Sequence, residues 1–302
     1  MSPTVPPRSG VLRVLTLNVG SLLEPDWDRR RHEIVAWLDH LDADVVCLQE
    51  VWEDERTGNT GGWLAEQSAA GWHGIFGGAA FAEHLWPDPT MRFGSMILSR
   101  WPIDEHEFVR LPLADDPSGF TSGVPFELLA VRTAGLDVFS VHLAAAPHEA
   151  HHRRVQVLAI DEFVRGWRGH RDTMTSFGAP RPEMPAILCG DFNAEPESDE
   201  IRFLSSLTVL DGRTTFWQDA WRVAGDGGPG LTQDWRTNPI AEAMNVHRKR
   251  IDYVFVGDAF QRAGGAGRVV RCEVVCDEPR TGVVSSDHFG VMADVVWPTR
   301  PA

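Results

Sequence analysis

Six apolar segments of the chain carry polar side chains that can bind a metal ion or move a proton. The segments are LTLNV, VVCLQEV, FSVHL, ILCGDFN, RIDYVFV and SSDHF. Their polar side chains are those of Asn18, Gln49, Glu50, His142, Asp191, Asn193, Asp252, Asp287 and His288. Carboxylates brought together from several strand ends repel one another, so a divalent cation is the obvious neutralising group. Oxygen donors favour Mg²⁺, with Mn²⁺ as the alternative, which leaves the histidines free to contact phosphate or transfer protons.

These side chains can act together only if one fold positions the strands that carry them. Apolar runs predict strands at 12–19, 44–51, 95–99, 127–133, 136–143, 186–193, 250–256, 269–275 and 289–296. Apolar spacing at Ile34, Trp37, Leu38 and Leu41 predicts a helix capped by Asp26 or Asp28, and further helices are predicted at 63–69, 149–167 and 199–207. This order is typical of two packed sheets covered by helices, although the pattern alone leaves α/β and α+β architectures open.

The order of the polar segments resembles that of a known family. LNV at 17–19, LQEV at 48–51, VHL at 141–143, GDFN at 190–193, RIDYVFV at 250–256 and SDH at 286–288 appear in sequence. Together they resemble the endonuclease/exonuclease/phosphatase superfamily and its deoxyribonuclease-like phosphoesterases. The resemblance implies an α+β fold, a four-layered αββα sandwich of two mostly antiparallel sheets flanked by helices. It also implies Mg²⁺-dependent phosphoester hydrolysis by one domain at 11–298, between tails at 1–10 and 299–302.

The resemblance further implies a metal site and a group that activates water. Glu50 would be the principal metal ligand, and Asn18 and Asp287 would complete the site directly or through water. Asp191 would orient and deprotonate the attacking water. Asn193 would donate a hydrogen bond to the pentacovalent state of the phosphate. One metal or two remains open at this point.

Two histidines receive roles from the same resemblance. His288 would contact the scissile phosphate, and Asp252 would hold His288 in the right tautomer and keep it protonated. His142 would contact another phosphate oxygen or protonate the leaving oxygen.

Basic clusters at 29–31, 151–154 and 247–250 raise the question of phosphate binding. The second cluster follows the VHL motif and the third precedes RIDYVFV, so both could surround the site. We therefore expect Arg153, Arg248 and Arg250 to contact the substrate phosphate. The competing interpretation of each cluster is a solvated helix or loop face.

Composition limits the partners of the chain. Its 302 residues include 28 Lys and Arg against 43 Asp and Glu, for a net charge of −15. Such an acidic surface disfavours a protein that coats nucleic acid without specificity, but it permits local contact with a phosphate. No apolar run reaches the roughly 18 residues of a membrane span, and MSPTVPPRSG lacks the apolar core of a secretory signal. We expect a cytoplasmic monomer with no stable protein partner.

The cysteines fit a reducing compartment. Cys47 and Cys189 lie inside predicted buried strands, where a free thiol behaves as a small apolar residue. Cys272 and Cys276 lie four residues apart in a predicted strand, a span of roughly 13 Å that no disulfide bridges.

The substrate stays open, with three hypotheses. A phosphodiesterase acting on nucleic acid agrees with the motif set and the basic clusters. A phosphatase or phosphodiesterase acting on a small molecule or a lipid headgroup agrees with the acidic charge and with the apolar residues Phe76, Phe81, Leu85 and Trp86. The third hypothesis is a non-catalytic binding relative.

Overall fold

Two β-sheets pack face to face in the computed structural model, and helices cover the outer face of each. The structure describes residues 10–115, 123–169 and 184–297. This arrangement confirms the predicted four-layered αββα sandwich. The predicted tails at 1–10 and 299–302 lie outside the described residues, apart from residue 10.

The first sheet has a central pair of parallel strands. Its strands are β1 Val11–Asn18, β2 Val45–Asp54, β3 Gly58–Asn59, β4 His73–Ala79, β5 Arg92–Ser99, β12 Val269–Val275 and β13 Gly290–Val296. They lie in the order β12-β13-β1-β2-β5-β4, with β3 paired to β2. β1 and β2 run parallel, and the remaining pairs are antiparallel.

The second sheet repeats this design. Its strands are β6 Ile103–Arg110, β7 Glu127–Thr133, β8 Leu136–His142, β9 Ile187–Asp191, β10 Trp217–Asp219 and β11 Asp252–Gly257. They lie in the order β10-β11-β9-β8-β7-β6, and β8 and β9 form its parallel pair. Each sheet therefore sends two parallel strand ends to the same side of the molecule.

Helices bury their apolar faces on the outer sides of the sheets. The helices are α1 Trp27–Leu41, α2 Thr60–Gln67, α3 Ala150–Arg168, α4 Asp199–Leu204, α5 Ala220–Ala224 and α6 Pro239–Ala243. Ile34, Leu38 and Leu41 of α1 pack on the first sheet, and Val157 and Ile160 of α3 pack on the second. A third apolar layer fills the space between the sheets, so three layers of buried side chains separate the four layers of structure.

Polar side chains cross the space between the two sheets at defined points. Gln49 of β2 accepts a hydrogen bond from Thr16 and donates one to Ser140 of β8, at 3.2 Å and 3.0 Å. Ser99 of β5 lies 2.8 Å from the hydroxyl of Thr133 of β7. These buried bonds fix how one sheet is placed on the other, because a slip would leave their donors unpaired.

Two strands at the sheet edges were not predicted. β4 has the sequence HGIFGGA and β6 has the sequence IDEHEFVR, and neither shows the alternation of a half-buried strand. Gly77 of β4 is required by packing, since a Cβ there would lie 2.6 Å from Phe108 and 2.9 Å from Leu129. The short β10, α5 and α6 were also not predicted.

The four cysteines are free and buried, which confirms the predicted burial of Cys47 and Cys189 and the predicted lack of a disulfide between Cys272 and Cys276. Burial raises the pKa of Cys272 to about 12, so this thiol stays protonated and unreactive. Within the described residues, no helix combines the length and apolar character that crossing a membrane requires.

One carboxyl group lies in the space between the sheets. Glu127, the first residue of β7, has no exposed surface. Burial raises the pKa of Glu127 well above its usual value, because the charged form loses its hydration there. The folded protein therefore holds this proton more tightly than the unfolded chain does.

Glu127→Gln should change how stability depends on pH. The contribution of Glu127 is fully present below its unfolded pKa of about 4.3 and is lost as the pH rises toward its folded pKa. The free energy of unfolding of the variant, relative to the wild type, should then rise by about 1.4 kcal/mol per pH unit above pH 5. Urea unfolding between pH 5 and 8 measures this difference. Glu66→Gln, at an exposed position of α2, should show no such slope.

Candidate active site

The candidate site lies where the parallel strands of each sheet end. β1 ends at Asn18, opposite Gln49 of β2, and β8 and β9 end at His142 and Asp191, which lie opposite each other. The two sheets bring these ends into contact, since Nδ2 of Asn18 lies 3.1 Å from Oδ2 of Asp191. The site is therefore built from both sheets at the mouth of the space between them.

A bulge in β2 turns Glu50 into this mouth. The register between β2 and β5 shifts between Leu48 and Val51, and Glu50 has a left-handed backbone with φ 58°. Gln49 consequently points between the sheets, while Oε1 of Glu50 accepts a hydrogen bond from Asn18 at 3.0 Å. A backbone of this kind is costly for a residue with a side chain and is typical of functional positions.

His142 faces two carboxylates. Its Nε2 lies 3.9 Å from Oε1 of Glu50 and 3.7 Å from Oδ2 of Asp191. The rings of Phe93 and Phe126 pack beside the imidazole, with centroids 6.1 Å and 6.2 Å away. These apolar walls orient the imidazole toward the acidic groups.

His288 forms a carboxylate–imidazole pair on the other side of Asp191. Its Nδ1 lies 2.9 Å from Oδ2 of Asp252, a residue with no exposed surface. Its Nε2 lies 3.8 Å from Oδ2 of Asp191 and 3.7 Å from Oδ1 of Asp287. The structure thus places the predicted partner of His288 within hydrogen-bonding distance.

Asn193 is held close to Asp191 by its own backbone. Its N–H donates to Oδ1 of Asp191 at 2.8 Å, and its side-chain Nδ2 donates to the carbonyl of Leu143 at 3.1 Å. Its φ of 48° is left-handed, a conformation that asparagine tolerates better than most residues. The amide therefore lies at the rim beside Asp191, and its predicted hydrogen bond to the pentacovalent state of the phosphate stays a prediction.

Burial and crowding shift the pKa values of the site. Burial raises the pKa of Glu50, and it raises the pKa of Asp252 to about 6. Burial alone would lower the pKa of His288, but the carboxylates of Asp252, Asp287 and Asp191 raise it well above its usual value. The site therefore concentrates negative charge and favours a protonated His288.

The donor set fits a hard divalent cation. Ligand atoms of Glu50, His142 and Asp191 lie within 4.8 Å of one another, as do those of Asp191, Asp252 and His288. Among the described residues, no lysine or arginine forms an ion pair with Glu50, Asp191 or Asp287. Clustered carboxylates without a paired side-chain cation favour a bound metal ion with oxygen ligands.

Asn18 directs its amide nitrogen toward the carboxylates, and its predicted role as a metal ligand, directly or through water, stays a prediction. Its Nδ2 faces Glu50 and Asp191, while its Oδ1 accepts a hydrogen bond from the backbone of Gly20 at 3.0 Å. In this arrangement Asn18 holds the two carboxylates in place and offers them no oxygen.

Supporting residues surround the SDH segment and were missed by sequence reasoning. Nε2 of Gln233 lies 2.7 Å from Oδ2 of Asp287 and 2.9 Å from Nε2 of His288. Glu24 accepts a hydrogen bond from the backbone of Asp287 at 3.1 Å and lies 3.5 Å from the buried Arg30. Arg30 belongs to the cluster at 29–31, and no sequence pattern marked it, Glu24 or Gln233 as part of the site.

The family of the chain follows from its sequence and fold together. Residues 15–288 match the model of the Endonuclease/Exonuclease/phosphatase family. The chain belongs to this family. The match includes every residue predicted for the site.

Solved structures that share the family fold come from distant relatives. An endonuclease/exonuclease/phosphatase from Beutenbergia cavernae DSM 12333 is 24% identical, with a TM-score of 0.65 over 97% of this chain and 73% of that one. TDP2 from D. rerio, complexed with a single-strand DNA product, is 18% identical, with a TM-score of 0.65 over 94% and 98%. The human Nocturnin catalytic domain with bound sulfate is 19% identical, with a TM-score of 0.65 over 96% and 95%. No curated protein matches the sequence, and these structures show the fold alone.

In the structure, each of the three arginines predicted to bind phosphate has a carboxylate partner. Arg250 forms two hydrogen bonds with Asp219, at 3.0 Å and 2.9 Å. Arg248 forms two with Asp234, at 2.7 Å and 2.8 Å.

Arg153 is the third of these arginines, and it lies 5% exposed on α3. It contacts Glu200 at 3.2 Å and donates to the carbonyls of Ala144 and Ala146. Burial in these pairs indicates a structural role for Arg153 and Arg250, and their predicted contact with substrate stays a prediction. A cluster of basic residues in the sequence does not reveal that a carboxylate far away in the chain neutralises one of them.

A row of aromatic rings leads from the site to the surface. Ring centroids are 6.1 Å apart for His142 and Phe93, 4.9 Å for Phe93 and Phe81, 6.5 Å for Phe81 and Trp52, and 4.9 Å for Trp52 and Trp86. Trp86 is 42% exposed, whereas Trp52 and Phe93 are buried. This aromatic row is therefore mostly buried, and it connects the exposed ring of Trp86 to an imidazole of the site.

Arg153→Met should reduce stability and leave substrate affinity unchanged. The change leaves Glu200 and two carbonyl groups buried without a partner, which costs about 3–5 kcal/mol. Urea unfolding measures the loss, and KM at a permissive temperature measures affinity. Arg154→Met is the matched control, because Arg154 and Asp211 form an exposed pair that contributes at most about 1 kcal/mol. A raised KM with unchanged stability would restore the phosphate-binding role of Arg153.

Proposed function

We propose that this chain is a Mg²⁺-dependent phosphoesterase that hydrolyses a phosphodiester bond by in-line attack of water. The observation that carries the proposal is the position of Oδ2 of Asp191. This oxygen lies 3.1 Å from Asn18, 3.7 Å from His142 and 3.8 Å from His288. The carboxylate of Asp191 thus contacts an amide that positions it. It also faces two imidazoles that can donate hydrogen bonds to a phosphate.

Asp191 is the group that orients the attacking water and accepts its proton. Its other oxygen is already bonded to the backbone of Asn193, which fixes the carboxylate plane. Oδ2 remains directed into the site, where a water can bind. Glu50 and Asp287 would hold the divalent ion, whose chemistry is to neutralise phosphate charge and to lower the pKa of bound water.

The two histidines act on the phosphate from different directions. His288, kept protonated by its carboxylate neighbours, donates to a non-bridging phosphate oxygen. Asp252 holds the imidazole by its Nδ1, so Nε2 stays directed into the site. His142 donates from Nε2 to a second oxygen or to the leaving group.

A specific observation favours a second candidate substrate class. The aromatic row reaches the site beside His142, and two of the predicted basic contacts are buried in ion pairs. With a net charge of −15, these features suit a small or lipid phosphoester with an apolar leaving group. TDP2, which shares the fold, was solved with a single-strand DNA product, which supports a nucleic-acid substrate. The salt dependence of KM separates the two classes, because binding of a polyanion weakens steeply with salt.

Asp191→Asn should lower turnover by about three orders of magnitude, because the amide cannot accept the proton from water. Supercoiled plasmid, single-stranded RNA and bis-p-nitrophenyl phosphate are the substrates, each with Mg²⁺ and with EDTA. Asp28→Asn, at an exposed carboxylate of α1, is the matched control and should retain wild-type rates. Absence of metal-dependent turnover of all three substrates by the wild type would contradict the proposal.

The four buried free thiols support the further proposal that the protein works in a reducing compartment, the cytoplasm. We also propose that it acts as a monomer, since the site is assembled from one chain.

A further inference from the structure

The side-chain amide of Gln233 is buried at the site and joins two of its residues. Nε2 of Gln233 lies 2.7 Å from Oδ2 of Asp287 and 2.9 Å from Nε2 of His288. Only 4% of Gln233 is exposed, and its Oε1 has no hydrogen-bond partner among the described residues. A buried polar atom without a partner costs free energy, so packing alone does not explain why an amide occupies this position.

The backbone of Gln233 is fixed from two sides. Its N–H donates to the carbonyl of Lys249 and its carbonyl accepts from the N–H of Lys249, each at 3.0 Å, shortly before β11. Oγ1 of the neighbouring Thr232 accepts a hydrogen bond from the N–H of Asp252 at 3.2 Å, and its carbonyl accepts one from the N–H of Phe289 at 2.7 Å. The amide therefore has a defined position relative to both β11 and the SDH segment.

The carboxylate of Asp287 determines which end of the Gln233 amide lies against it. A carboxylate accepts hydrogen bonds, so the nitrogen of the amide and not its oxygen lies 2.7 Å away. The amide nitrogen carries two hydrogens, and Asp287 binds one of them. The second hydrogen is left for the space beside Nε2 of His288, at 2.9 Å.

Nε2 of His288 is the atom that donates to a phosphate oxygen in the proposed function. When it does so, the amide nitrogen of Gln233 is a second donor only 2.9 Å from it. Two donors this close can share one acceptor, because an oxygen about 2.9 Å from each lies within hydrogen-bonding distance of both. The same imidazole nitrogen lies 3.8 Å from Oδ2 of Asp191, so the shared acceptor would lie beside the group that orients the attacking water.

We propose that Gln233 is a further catalytic residue, whose second N–H donates to the phosphate oxygen that His288 binds. Its first N–H holds Asp287, so one amide places a predicted metal ligand and contacts the substrate. A donor directed at a phosphate oxygen stabilises the negative charge that develops there during attack. This inference rests on the proposed function, which supplies the phosphate. It explains a buried amide whose nitrogen meets two groups of the site and whose oxygen meets none.

Inorganic phosphate is the probe for this contact, and the side-chain ¹H–¹⁵N signals of Gln233 are the readout, assigned by their loss in Gln233→Met. In the full chain with Mg²⁺, phosphate should shift one N–H signal of Gln233 together with the imidazole signals of His288. The signals of Gln218 should stay in place, since its amide nitrogen already donates to the carbonyls of Gly257 and Gly267 at 2.9 Å and 3.0 Å. Shifts at His288 without one at Gln233, or no shift at either residue, would overturn the proposal.

Gln233→Met removes both N–H groups at a similar side-chain volume. At saturating Mg²⁺, kcat should fall about 10- to 100-fold, and the Kd of phosphate measured by calorimetry should rise about 10-fold, because a hydrogen bond to a charged group is lost. A residue that acts through Asp287 alone would instead raise the Mg²⁺ concentration needed for half-maximal rate. Recovery of wild-type kcat at saturating Mg²⁺ would therefore contradict the contact with phosphate.

Gln218→Met is the matched control, because it also removes an amide that makes two hydrogen bonds. It should lower the melting temperature and leave kcat within twofold of the wild type. Equal losses of kcat in the two variants would show a general packing effect and overturn the proposal. If the wild type hydrolyses no phosphoester, the proposed function fails, and the phosphate titration still decides whether Gln233 binds phosphate.

Discussion

The molecule depends on the crowding of acidic groups around Asp191 at the mouth between two sheets, where Glu50 and Asp252 each have a ligand atom within 4.8 Å of one of Asp191. Asn18 contacts Oδ2 of Asp191 from one sheet, and two imidazoles face this oxygen at 3.7 Å and 3.8 Å. Negative charges held this closely raise one another's free energy unless cations or donors compensate them. The surrounding structure supplies this compensation through amides, imidazoles and a set of donors that suits a metal ion.

A second set of interactions keeps the rim in place without taking part in chemistry. Arg30 is buried and donates to backbone carbonyls, including those of Val19 and Ser285, which joins the SDH segment to the end of β1. Arg153 ties the loop after β8 to Glu200 of α4 in the same manner. Arginine suits this use, because its planar group has several donors that can reach several acceptors at once. One arginine from each of two basic clusters, Arg30 and Arg153, is in this sense structural.

Sequence reasoning predicted the parts of the fold that are determined locally. Central strands such as β1 and β9 are continuous apolar runs, and their polar ends carry Asn18 and Asp191, so both strand and site residue are visible in the sequence. Edge strands β4 and β6 are not continuous apolar runs, because β4 contains three glycines and most residues of β6 are exposed to solvent.

Roles that depend on distant partners were not visible in the sequence. Arg250 was predicted to contact phosphate because nothing in the sequence pairs it with Asp219, 31 residues away. The orientation of the Asn18 amide likewise depends on Gly20, Glu50 and Asp191 together. Gln233 lies in no motif or periodic segment of the sequence. It reaches Asp287, 54 residues away, only in the folded protein.

The left-handed backbones of Glu50 and Asn193 have an evolutionary consequence. At φ 58° and 48°, glycine would adopt both backbone conformations with less strain, because it has no Cβ to clash there. A descendant that no longer needed the chemistry could therefore gain stability through single substitutions at the positions that define the site. Backbone stability and the two side chains that face the site are therefore opposed at these positions, because glycine would relieve the strain and remove the side chain.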